Sequence, residues 1–153
     1  PDGVFVIRCN EQKRSLLFFL EIDMGTEPLS SNAADRSADI QTKLETYQEY
    51  FRAKRYKRYQ GIWQESLHGF RLLFFTHSEE RMAAIGNLVR SHPPCEFIWV
   101  ACQQRMFARG LGDSIWARGG RDDIPAESIL GARLCCTCPV LLPDAIAGES
   151  GSK

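Results

Sequence analysis

Leu16-Leu17-Phe18-Phe19-Leu20-Glu21-Ile22-Asp23 decides the fold. An apolar run of strand length without polar alternation reads as a strand buried on both faces, and here it ends in acid. Upstream, the polar stretch from Cys9 to Ser15 separates it from Val4 to Arg8, a weakly alternating β-branched segment, so the two form a hairpin. Downstream, a loop from Gly25 to Ala34 leads into a helical pattern with Ile40, Leu44, Tyr47 and Phe51 at i, i+4, i+7 and i+11. Phe70 to Thr76 reads as another buried strand. Ser78-Glu79-Glu80 opens a helix with an N-cap and first-turn acids, continued by Met82, Ile85 and Val89 and stopped at His92-Pro93-Pro94. Phe97 to Cys102 is the last strand of the pattern. The order β-β-α-β-α-β predicts an α/β fold, a mixed sheet flanked by helices.

After Arg105 the periodicity weakens and glycines accumulate, which predicts an irregular C-terminal extension, disordered past about residue 143. With 153 residues, 44% of them hydrophobic, the chain has the size of one domain. Nineteen basic and nineteen acidic residues cancel, so any electrostatic argument has to be local. Six cysteines are too few for a disulfide scaffold, and the crowded Cys135, Cys136 and Cys138 suit a reducing compartment, the cytoplasm. Neither a membrane span nor a signal peptide is visible. The chain opens at Pro1 and enters a strand at once, which suggests that residues have been removed upstream.

The chemistry concentrates on the hairpin. With the turn centred near residues 11 and 12, the antiparallel register sets Asp2 opposite Glu21, and strand alternation puts Glu21 and Asp23 on one face. Three carboxylates brought together at the end of an apolar strand repel unless a cation lies between them, and an all-oxygen set suits Mg²⁺ or Mn²⁺. On a helical wheel Lys43 lies roughly 70° from the centre of the Ile40 to Phe51 stripe, at the margin of the buried face, where its ammonium can snorkel toward the acids with Tyr47 as its i+4 neighbour. Glu27 and Asp35 read as solvated loop residues. Arg52, Lys54, Arg55, Lys57 and Arg58 form a basic run interleaved with Tyr50, Tyr56 and Tyr59, suited to phosphates and stacked bases; the competing reading is a solvated helix end. Cys135 to Cys138 holds one CxxC spacing, whereas structural zinc needs a second pair. His68, His77 and His92 are isolated, and Trp116 reads as a core plug.

Pro1-Asp2, the hairpin, Glu21-Ile22-Asp23 and the helix carrying Lys43-x-x-x-Tyr47 resemble the PD-(D/E)xK nuclease superfamily, whose fold is restriction-endonuclease-like. More narrowly, Pro1-Asp2-Gly3, the string from Leu17 to Leu29, the Lys43 to Tyr47 helix and the strand from Arg71 to Thr76 resemble the replication-relaxation family of plasmids and mobile elements, over residues 1 to 118. The resemblance makes 1–118 the restriction-endonuclease-like domain and 119–153 an irregular extension with a disordered tail. It also implies a further helix and a winged-helix DNA-binding region upstream. Asp23 stands where the superfamily lysine usually lies, so the resemblance assigns the positive charge to Lys43.

What the resemblance implies is metal-assisted phosphodiester hydrolysis by a nuclease or nickase acting on DNA. Asp2 and Glu21 hold Mg²⁺ or Mn²⁺, Lys43 stabilises charge on the phosphate, Tyr47 stands beside it, and Asp23 is an extra ligand or orients the attacking water. Arg52, Lys54, Arg55, Lys57 and Arg58 meet the DNA. The alternative is a catalytically inactive module of the same fold that binds DNA or replication proteins of the same element. A third reading, a structural α/β interaction domain, uses none of these side chains chemically.

Overall fold

The computed structural model describes residues 1–10, 13–30 and 39–130; Asp35, the Cys135 to Cys138 cluster and the tail past 143 lie outside the described residues. Five strands, β1 (Gly3–Cys9), β2 (Arg14–Asp23), β3 (Phe70–Thr76), β4 (Ile98–Cys102) and β5 (Ala117–Arg118), lie side by side in chain order. The two outer pairs are antiparallel and the two inner pairs parallel, so the sheet is mixed. Helix α1 (Ile40–Arg52), a 3-10 turn (Arg55–Arg58) and α2 (Tyr59–Trp63) join β2 to β3. Helix α3 (Glu79–Ser91) joins β3 to β4, and α4 (Gln103–Arg109) precedes β5.

Stepping in one direction from β2 through β3 to β4, with crossovers of one hand, puts α1 and α3 on the same face of the sheet. Ile40 and Leu44 of α1 and Met82, Ile85 and Val89 of α3 pack there on Leu17, Phe19, Leu72 and Phe74. Phe18, Leu73 and Trp99 point the other way and are covered by Ile115, Trp116, Ile129 and Leu130, so the chain beyond residue 118 contributes to the same core. Burial on both faces is why β2, β3 and β4 read as unbroken apolar runs. Both long helices start as their residues dictate: Asp39 accepts the Thr42 N–H at 2.7 Å, and Ser78 accepts the Arg81 N–H at 3.2 Å with Glu79 and Glu80 in the first turn.

Two parts of the chain differ from the sequence reading. The basic run is not the end of a helix: α1 stops at Arg52, Lys54 adopts a left-handed conformation (φ 53°), and Arg55–Arg58 form the 3-10 turn. Tyr56 is 5% exposed, and Tyr50 and Tyr59 pack against the main cluster, so aromatic burial sets the path of this segment where helical periodicity does not. The region after Arg105 carries more regular structure than its sequence advertises. Helix α4 has only seven residues and turns Met106 to the core while Phe107 is 72% exposed, too short a stripe to read as amphipathic. Farther on, the turn after β5 meets α3 backbone to backbone: a Cβ on Gly86 would come within 2.8 Å of the Gly120 carbonyl oxygen, so only glycine allows that approach. Among the described residues no helix is long and apolar enough to cross a membrane.

Trp116 is fully buried, its indole N–H donating to the Leu111 carbonyl at 3.0 Å, and it closes the second face of the sheet. Trp116→Ala is expected to cost about 3–5 kcal/mol, read as a fall in the urea midpoint with the slope unchanged.

Candidate functional site

The carboxyl end of β2 lies under α1, where a ligand site in an open α/β sheet is expected. The hairpin register pairs Gly3 with Leu20, and one further step sets Asp2 against Glu21, with the Asp2 N–H donating to the Leu20 carbonyl at 2.8 Å. Strand alternation sends Glu21 and Asp23 to the α1 face and leaves Ile22 exposed. Glu21 is 7% exposed and Asp23 4%, so each needs partners of its own.

Glu21 receives them from α1. The Tyr47 hydroxyl donates to Oε1 at 2.6 Å, and the Lys43 ammonium lies 3.6 Å from Oε2. Lys43 and Tyr47 reach the same carboxylate because four residues are close to one helical turn. Burial drives the Tyr47 hydroxyl upward, and its bond to the Glu21 carboxylate drives it further, so it stays protonated as a donor. Burial alone would lower Lys43, but its bond to Glu27 and the charges of Glu21 and Glu27 outweigh that, and the ammonium is held above the usual lysine range.

Glu27 is a correction to the sequence reading, which takes it as solvated. It is half-buried, its Oε1 accepts from Lys43 at 2.7 Å, and its Oε2 is buried with no hydrogen-bond partner among the described residues. The chain returns it to the site through Gly25, whose φ of 79° suits glycine and where any Cβ would strike the His77 ring. That glycine is the one sequence signal that could have brought Glu27 back toward β2.

Asp23 belongs to a different contact. Arg81, from the first turn of α3, grips it with two bonds, Nε to Oδ2 at 2.7 Å and Nη2 to Oδ1 at 3.1 Å. The Gly25 N–H and the Thr76 hydroxyl add bonds at 3.2 and 3.3 Å. Arg81 also donates to the Glu27 carbonyl, so one guanidinium ties the end of β2 to the loop that presents Glu27. Nothing local in the sequence joins Arg81 to Asp23, 58 residues away.

Asp2 sits at the exposed rim, where its Oδ2 accepts the Ile22 N–H at 2.7 Å, and its charge still acts on the Tyr47 hydroxyl. Among the described residues no three side chains of His, Cys, Asp or Glu approach closely enough to cage a metal. Asp23 has both oxygens committed to Arg81; Glu21 has Oε1 bonded to Tyr47 and Oε2 facing the Lys43 ammonium, and Asp2 has one oxygen bonded to the Ile22 N–H. As hard oxygen donors, Asp2 and Glu21 are of the type that Mg²⁺ accepts when it keeps most of its waters.

The basic residues Arg52, Lys54, Arg55, Lys57 and Arg58 are all exposed, spread over the end of α1 and the 3-10 turn. Of these, Arg58 reaches the site. It lines a cleft with Lys43 and Tyr47, and its guanidinium lies over the rings of Tyr50 and Tyr59 at 5.5 and 5.0 Å.

The Asp23–Arg81 contact sets an acid dependence. Burial pushes the Asp23 carboxyl up, and the bonds and charge of Arg81, with those of Gly25 and Thr76, outweigh it and hold it below the ordinary carboxylate range. A depressed folded-state pKa gives stability that is present above the unfolded value, about 3.9, and lost as the pH falls through the folded one. Arg81→Ala strands a buried carboxylate and is expected to cost about 3–5 kcal/mol at neutral pH. In urea titrations across pH, the gap between the two proteins narrows progressively through the carboxylate range, where both forms protonate.

The family described as replication-relaxation has a model that matches residues 1–65, the stretch holding β1, β2, α1 and α2. No curated protein and no solved structure matches the chain.

Proposed function

We propose that this domain acts on DNA in the replication of a plasmid or other mobile element, as a metal-dependent nuclease or nickase of the restriction-endonuclease-like type. The observation that carries the reading is the convergence of Lys43 and Tyr47 on the buried Glu21 at the carboxyl end of β2, with Asp2 at its rim. The chemistry that Mg²⁺ or Mn²⁺ supplies when bound by Asp2 and Glu21 is polarisation of the scissile phosphate and acidification of water. Tyr47, kept neutral, fixes the Glu21 carboxylate in one orientation. Lys43, kept charged, gives one of its three protons to Glu27 and has the others for phosphate oxygens, where negative charge grows in the transition state. Arg52, Lys54, Arg55, Lys57 and Arg58 contact the DNA backbone.

One observation favours a second reading. Asp23 stands where the superfamily has its lysine and is clamped by Arg81 as a structural ion pair. A module that binds DNA or replication proteins of the same element without cutting would retain that clamp and need no more.

Plasmid nicking with Mg²⁺ or Mn²⁺, compared with the same reaction in chelator, separates the two. Cleavage that needs the ion, and that falls by about 10²–10³-fold in Glu21→Gln and in Lys43→Ala with little change in DNA affinity, is expected for the nuclease. DNA binding with no cleavage under any divalent ion supports the second reading and removes the first.

Neutralising Arg52, Lys54, Arg55, Lys57 and Arg58 together is expected to weaken DNA binding and to flatten the plot of log affinity against log salt. On duplex DNA the slope falls by about 0.9 for each phosphate that the protein no longer neutralises. An unchanged slope would assign the run to a solvated turn.

A further inference from the structure

Beside the carboxylate site lies a cleft of about 280 Å³ whose lining includes Pro1, the aromatic side chains of Phe19, Tyr47, Tyr50 and Tyr59, and the cations Lys43 and Arg58. Its volume is at the small end of ligand pockets. An aromatic lining with cations beside it matches the parts of a single nucleotide, a flat base joined to an anionic phosphate. We propose that this cleft holds one unstacked nucleobase of a single-stranded or locally opened DNA, with the adjoining phosphate met by Arg58. The proposal rests on the DNA reading above and adds the form of the substrate.

Charge complementarity favours this occupant. Lys43 is shared between Glu21 and Glu27, whereas Arg58 forms no ion pair among the described residues; its Nη2 donates to the Tyr59 hydroxyl at 3.1 Å and its guanidinium lies over two tyrosine rings. A guanidinium held in that way presents a flat face to a base and spare N–H groups to a phosphate. Neutral apolar occupants would leave that cation unmatched. A B-form duplex stacks its bases inside and offers none to a cleft of this size, so the nucleotide has to be unstacked. Lys43 and Tyr47 line both the cleft and the carboxylate site, so a strand whose base is seated here runs beside Glu21.

The test uses the whole chain, in chelator so that nothing is cut, with a short single-stranded oligonucleotide carrying one 2-aminopurine and a matched oligonucleotide that is abasic at that position. The base-bearing strand is expected to bind about 5- to 100-fold more tightly than the abasic one and to show quenched fluorescence on binding. Thr46→Trp, an exposed position on α1 whose new ring fills the cleft, is expected to abolish both the preference and the quenching, and Arg58→Ala to reduce them. Equal affinity for the two strands, or quenching that survives in Thr46→Trp, overturns the proposal. Nicking of plasmid by a protein that fails this test would leave the nuclease reading standing without the cleft; a base preference in a protein that never nicks would leave the cleft standing without the nuclease.

Discussion

Burying two carboxylates two residues apart on one strand is the constraint from which the rest of this end of the molecule follows. Glu21 and Asp23 leave the core of β2 on the same face, and neither can stay ionised there without a cation and hydrogen bonds supplied from elsewhere. The fold meets the two needs from different helices. Lys43 and Tyr47 come down from α1 onto Glu21, and Arg81 comes up from the first turn of α3 onto Asp23. The placement of both helices on one face, fixed by the handedness of two successive crossovers, is therefore also what neutralises the end of the strand.

The two cations have unequal freedom. Arg81 is held by both oxygens of Asp23 and by the Glu27 carbonyl, a planar fork in a planar setting, and such a contact locks geometry. Lys43 is a point charge on a flexible stem, close to Glu27 and farther from Glu21. A lysine with that range can follow charge as it develops on a ligand, which a bidentate arginine cannot. Arg81 thus belongs to the scaffold of this strand end, and Lys43 is the cation there that keeps freedom to move.

Much of this was legible in the sequence because it is local. The hairpin register, the shared face of Glu21 and Asp23, and the i+4 spacing of Lys43 and Tyr47 depend on strand and helix periods that neighbouring residues enforce. What could not be read depends on distance in the chain or on tertiary packing. The Arg81 grip on Asp23 spans 58 residues, and the return of Glu27 depends on a single left-handed glycine. The bend at Lys54 follows from where Tyr50, Tyr56 and Tyr59 find aromatic neighbours around Phe19 and Phe70. Helix α4 and strand β5 are shorter than the window in which a period can be recognised, although Ile115 and Trp116, which lie between them in the chain, are fully buried.

Asp23, two residues beyond Glu21 on the same face, also sets the electrostatics of the whole strand end. A lysine at that position would offer Glu21 a counter-charge from the same strand, at a distance fixed by the backbone. An aspartate adds a second negative charge, and two cations then have to be imported for two anions, with Glu27 making a third that Lys43 shares. The result is a site whose positive group stands on the helix side, facing the aromatic cleft and Arg58, not embedded in the sheet. Lys43 and Arg58 both line that cleft, so the helix that supplies the counter-charge for the end of the strand also carries positive charge to the aromatic side of the site.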